Sequence, residues 1–181
     1  FGRLDVLVNN AGGAPNSDKV SIFDRRLQDW ESVLRTNLTG VFLCTRSAAN
    51  IMKKQKKGSI INISSISSLV GRDHKIYEGL DMRPNLIDYS SSKAGVLGFT
   101  REAAAVLGAY NIRVNAVLPG GFERKTLPKK FVKCFAGKTV LGRMGRDRYD
   151  IKGVIALLAS DAGAYITGGS FVVDGGFSIF K

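Results

Sequence analysis

Histidine and cysteine are nearly missing from this chain: among 181 residues there is one histidine, His74, and two cysteines, Cys44 and Cys134. A zinc centre gathers several His, Cys or carboxylate ligands at short spacings, and neither cysteine has a second Cys or a His at such a distance, so no metal site is expected. A serine-histidine-aspartate hydrolase would have to rest on His74 alone, and no Gly-x-Ser-x-Gly elbow accompanies it. The cysteines fall in segments that read as core or helix and are expected to be reduced structural thiols. No apolar run approaches the roughly 18 residues needed to span a bilayer, and no charged-then-apolar leader is present, so the expectation is a cytoplasmic protein with no membrane partner. Acidic residues are also scarce, 15 against 27 Lys and Arg, for a net charge of +12. The excess gathers in Lys53-Lys-Gln-Lys-Lys57 and in 124–133 and 143–152. These runs lack interleaved aromatics or a base-reading module, so they are read as solvated helix ends and loops, and no nucleic-acid partner is expected.

What is present is an α/β pattern. The 44% hydrophobic content and 21 glycines suit one domain with tight strand-to-helix turns, and no repeat or low-complexity tract interrupts it. Apolar runs at 4–9, 58–65 and 113–118 read as strands, the latter two buried on both faces. Helical spacing over 27–52, from Trp30 and Val33 to Ala49, predicts one long helix, and 89–107 predicts another with small and apolar faces. A shorter helix is expected near 128–135, another over 150–159, and a last strand within 168–176.

Chemistry concentrates at Tyr89-Ser-Ser-Ser-Lys93. Residues four apart share a helix face, and a cation held near a phenol, which ordinarily titrates at about 10, favours the phenolate. That makes a tuned proton donor or acceptor. Alone the pair is an ordinary helical neighbourhood. It comes, however, after Leu7-Val-Asn-Asn-Ala-Gly12, Thr36-Asn37 and Ile61-Asn-Ile-Ser-Ser65, and before Pro119-Gly120 and Asp174-Gly-Gly176. In that order the set resembles the short-chain dehydrogenase/reductase family. The resemblance implies a Rossmann-like doubly wound parallel sheet, of which this chain would be the C-terminal portion, without the first three strands and the glycine-rich turn. It also implies NAD or NADP as cofactor and a small-molecule carbonyl or alcohol as substrate. Tyr89 would be the general acid/base, Ser65 the hydrogen-bond donor to the substrate oxygen, Lys93 the partner of Tyr89 and of the ribose, and Asn37 the anchor of a proton-relay water. Asn10, Ala11, Gly12, Pro119, Gly120 and Phe122 would line the cofactor cleft with Tyr89 and Lys93. The two long helices would pair with a second copy in a homodimer or homotetramer.

The chain departs from the family at two points. The Ser65–Tyr89 interval of 24 is longer than usual, which predicts an inserted polar loop within 70–88 beside the site, carrying Arg72, Asp73, His74, Lys75, Tyr77, Glu78, Asp81, Arg83 and Pro84. Tyr77 is a rival catalytic tyrosine by position, but Asp81 stands where its lysine would be. Second, Arg124 replaces a threonine that commonly contacts the cofactor, and 124–148 corresponds to the family's substrate lid. A glycine-rich phosphate turn is missing between any strand and helix, so a non-catalytic fragment stays open as an alternative. A basic binding protein on the same scaffold is the other.

Overall fold

The computed structural model describes residues 2–14, 21–82 and 87–179. Among these residues six strands occur: β1 (Val6–Asn9), β2 (Gly58–Ile63), β3 (Ile112–Pro119), β4 (Phe122–Glu123), β5 (Gly145–Arg146) and β6 (Ser170–Val173). The main sheet is parallel throughout, in spatial order β1-β2-β3-β6, while β4 and β5 form a separate parallel pair. The helices are α1 (Leu27–Leu34), α2 (Gly40–Gln55), α3 (Ile87–Leu107), α4 (Lys129–Ala136) and α5 (Lys152–Ala159).

The middle strand explains the layering. Successive strand residues face opposite ways, so Ile60 packs with Ala48 and Met52 of α2 and Ala104 of α3, while Ile61 packs with Val117 and Leu158 of α5. Both isoleucines are fully buried. Helices therefore cover both faces, and each such side chain adds about 1.5–3 kcal/mol of burial.

A buried polar chain ties the layers at the end of the sheet nearest the site. Asn9 donates to Thr45 (3.0 Å) and to Asn62 (2.8 Å), and Asn62 donates to Thr100 (2.9 Å). Thr100 in turn donates to the carbonyl of Val96 (2.7 Å). One network thus joins β1, β2, α2 and α3, and an unmatched member would cost more than the network contributes.

Two expectations need correction. The helix predicted over 27–52 contains a π-helical turn, Arg35–Thr39, between α1 and α2, and it runs on to Gln55. Such a turn admits an extra residue and recurs at functional sites; here it carries the fully buried Asn37. The inserted segment is not simply polar. It forms a 3-10 turn, His74–Tyr77, whose Ile76 is buried against Phe131 and Phe135 of α4 and against Met144, with Tyr77, Leu80 and Met82 packed alongside. The expected loop residues Arg83 and Pro84 lie outside the described residues. Cys44 and Cys134 sit on helices as free thiols, on exposed faces. Among the described residues, no helix is long and apolar enough to cross a membrane.

Candidate active site at the carboxyl ends of the strands

β1, β2 and β3 all end at one rim, where parallel doubly wound sheets bind their ligands. A cleft of about 510 Å³ opens there, lined by Asn10 and Gly12 after β1, Ser65 after β2, Pro119 and Gly120 at the end of β3, Phe122 of β4, and Tyr89 and Lys93 of α3. Ser65 and Tyr89, 24 residues apart in sequence, thus face one space.

Tyr89 and Lys93 occupy the first two turns of α3 on a common face, with the Lys93 Nζ 5.8 Å from the centroid of the Tyr89 ring. Lys93 is only 5% exposed. Its ammonium donates to the carbonyl of Ile63 at 2.7 Å, and burial pushes its pKa down to about 8. Among the described residues no carboxylate pairs with it. The start of α3 is held from below: Asp88, fully buried, pairs with Arg25 at 2.5 Å and accepts the Tyr89 amide at 2.8 Å. A carboxylate at this position also suits the positive end of the helix dipole. On the other side, the Ser64 hydroxyl donates to the Lys93 carbonyl at 2.8 Å, joining the end of β2 to α3.

Asn37 stands behind the cleft and not on its wall. Its Oδ1 accepts from the Gly13 amide (2.9 Å), its Nδ2 donates to the Gly13 carbonyl (2.8 Å) and to the Ser92 hydroxyl (3.0 Å), and Ser92 in turn donates to the Tyr89 carbonyl (2.8 Å). The π turn thereby grips the loop after β1. Gly12 sits within this grip: a Cβ there would lie 2.9 Å from Asn37 Oδ1 and 3.4 Å from Lys93 Nζ. Ala11, expected in the cleft, is exposed and does not line it. Gly120 lines the cleft, but it has another reason to be glycine, since a Cβ would approach the Asp174 backbone to 2.8 Å.

Sequence reasoning assigned no role to Asp88, Arg25 or Ser67. The carboxylate next to the tyrosine was a readable signal for the first; nothing in the local pattern pointed to the other two. Arg72 from the inserted segment and Arg124, Asp147 and Arg148 from the connection 124–148 also reach the cleft.

Parallel strands with helices on both faces, and a serine, tyrosine and buried lysine meeting at the strand ends, define a nucleotide-dependent oxidoreductase fold. The chain belongs to the short-chain dehydrogenase/reductase family, whose members use NAD or NADP: a family model described as Enoyl-(Acyl carrier protein) reductase matches residues 1–178. It is 40% identical over 181 residues to the 3-oxoacyl-[acyl-carrier-protein] reductase of Synechocystis sp., covering 99% of this chain and 67% of that protein. It is 38% identical over 178 residues to the 3alpha-hydroxysteroid dehydrogenase of Mediterraneibacter gnavus, covering 97% and 65%. The crystal structure of a short chain dehydrogenase from Leptospira borgpetersenii with bound NAD+ superposes with a TM-score of 0.86 at 34% identity, over 97% of this chain and 65% of that one. The chain spans about two thirds of the length of these relatives.

Proposed function

We propose that the protein containing this chain interconverts a secondary alcohol and a ketone, with Tyr89 as general acid/base. The observation that carries this reading is the convergence of Ser65, Tyr89 and the buried ammonium of Lys93, which has no carboxylate partner among the described residues, on one cleft at the strand ends. Bound NADH or NADPH would supply the hydride in the reducing direction. Ser65 donates a hydrogen bond to the carbonyl oxygen and sets its angle. Tyr89 gives its proton to that oxygen as the alcohol forms, and takes it back in oxidation. Lys93, desolvated and close to the Tyr89 ring, offers positive charge to the phenolate left behind, in a site where such charge acts at low dielectric. It would also hold the ribose hydroxyls. Asn37 orients this machinery through Ser92 and the loop after β1, and it would anchor a relay water.

The residues present suit the nicotinamide half of a dinucleotide: the strand ends are small at Gly12 and Gly120, and the donors are two hydroxyls and an ammonium. Asn10, Pro119 and Phe122 complete that wall, while Ala11 stands outside it. The names of the relatives give substrates as different as a 3-oxoacyl-[acyl-carrier-protein] and a 3alpha-hydroxysteroid, so the ketone/alcohol class is the common denominator. A homodimer or homotetramer goes with this reading, supported by the exposed Phe42, Leu43 and Ile51 on α2 and Val106 on α3. So does a cytoplasmic location. The test is Tyr89→Phe in the full-length polypeptide, assayed on a 3-oxoacyl thioester and a panel of ketones. Turnover should drop by about 10²–10⁴, and turnover near the wild-type level would remove the proposed acid.

A further inference from the structure

Ser65 does not meet the cleft alone. Its Oγ lies 2.8 Å from the Oγ of Ser67 and accepts from the Ser67 amide at 3.2 Å. Ser67 Oγ in turn receives a hydrogen bond from Arg72 Nη2 at 2.9 Å, while Arg72 Nη1 donates to the Tyr77 hydroxyl at 3.1 Å. The same guanidinium lies 5.8 Å from the centroid of the Tyr89 ring. Its Nε is buried without an acceptor, and among the described residues no carboxylate pairs with it.

Proton counting gives this chain a direction. A guanidinium has donors and no acceptor, so Ser67 Oγ must accept from Arg72. Ser67 still has its own hydroxyl proton to place, and the oxygen beside it is Ser65 Oγ. In the reaction proposed above Ser65 gives its own proton to the substrate oxygen, so the 2.8 Å contact between the two hydroxyls is filled by the Ser67 proton. Ser67 therefore donates, and Ser65 Oγ receives both the hydroxyl and the amide of Ser67. With its lone pairs occupied, Ser65 has its own proton left over on the wall of the cleft. A charged first donor strengthens each bond that follows.

We propose that Arg72 is a positioning residue that acts through Ser67 to hold Ser65 as a hydrogen-bond donor facing the substrate oxygen. The proposal rests on the ketone/alcohol reading above. It gives the inserted segment a role in the reaction: the segment brings in a fork-shaped cation that spans Ser67 and Tyr77 together, which a lysine cannot do.

The test compares Ser67→Ala, Arg72→Gln, the double variant, Ser67→Thr and Tyr89→Phe in the full-length polypeptide, with acetoacetyl-coenzyme A and NADH or NADPH. Ser67→Ala and Arg72→Gln should each lower kcat by about tenfold with the dinucleotide KM unchanged. The double variant should be no slower than the slower single, because both changes cut the same chain. Ser67→Thr keeps the hydroxyl and should restore kcat. Thermal unfolding of the same set, which needs no turnover, should likewise be non-additive. Multiplying losses in kcat, a substrate KM that rises in Arg72→Gln alone, or wild-type kcat in Ser67→Ala would each overturn the relay. Should Tyr89→Phe keep its turnover, the underlying ketone/alcohol reading fails instead; an inactive Tyr89→Phe beside an unaffected Ser67→Ala sinks this inference only.

Discussion

On the sheet side of the cleft, Tyr89, Lys93 and the loop after β1 are held by hydrogen bonds and charges that run into the interior, through Asn37, Ser92, Ser64 and the Arg25–Asp88 pair. On the opposite side, the inserted segment and α4 meet through rings and aliphatic chains: Tyr77 on Phe131 at 5.4 Å, Phe131 on Phe135 at 5.9 Å, and Phe135 stacked on Phe177 at 4.7 Å. The polar wall is directional and tolerates little displacement, as hydroxyl and amide geometry demand. The apolar wall is non-directional, so it can accept differently shaped contents with modest loss. A reacting centre belongs on the first kind of wall and a surface that adapts to substrate shape on the second.

The harshest way to break the contrast is Asp88→Ala. It deprives the nearly buried Arg25 side chain of its carboxylate and loosens the first turn of α3, and should cost about 3–5 kcal/mol in thermal or denaturant unfolding. A loss under 1 kcal/mol would mean that the polar wall is not held from this point. Next comes Phe131→Ala on the apolar wall, which empties a buried ring from the cluster with Ile76 and Phe135. About 3 kcal/mol is expected, with the kinetic effect falling on substrate KM more than on kcat; the reverse split would show that α4 takes part in the chemistry.

Lys93 sharpens the comparison through pH. An ordinary lysine titrates near 10.5 and this one near 8 because it is desolvated, a gap corresponding to about 3 kcal/mol at most. Below pH 8 it is charged in both folded and unfolded states, and the folded state carries the whole penalty of burying that charge. Between about 8 and 10.5 the unfolded chain holds the proton more firmly, so this group's contribution to stability improves as pH rises. Measured at pH 7 and pH 10, wild type should therefore gain stability relative to Lys93→Met, while turnover that depends on the ammonium should decline above pH 8. A constant difference between the two proteins would rule out the depressed lysine. The smallest effect is expected from Lys138→Ala, which removes a half-exposed ion pair to Asp73 at 3.0 Å between the segment after α4 and the inserted segment. Such pairs contribute under about 1 kcal/mol, and a larger shift in unfolding midpoint would mean that charge, not apolar contact, joins these two elements.

Much of the fold was legible because burial has a period. The run Ile60 and Ile61 within β2, and the helical spacing from Trp30 to Ala49, follow from which faces must leave water. The approach of Ser65 to Tyr89 was expected from the order of the motifs, and their placement on one cleft follows from the parallel strand ends. Other features were illegible for a definite reason. That Asn10 and Gly12 line the cleft while Ala11 does not depends on how the loop after β1 is gripped by Asn37, 24 residues beyond Gly13. The polar look of the inserted segment concealed Ile76, whose burial depends on Phe131 and Phe135 far along the chain. The exposure of Cys44 depends on which side of α2 meets the sheet.

The order of residues along the chain determined most of the strands and helices of the main layers and the supply of hydroxyls, ammonium and amides at the strand ends, because period and local propensity are properties of neighbours in sequence; the parallel arrangement was what the family resemblance implied. Tertiary structure decided the π turn at Asn37, the depressed Lys93 and the Arg72–Ser67–Ser65 chain. Each of these is a matter of direction and desolvation between groups brought together from distant segments, and neither quantity exists until the segments have packed.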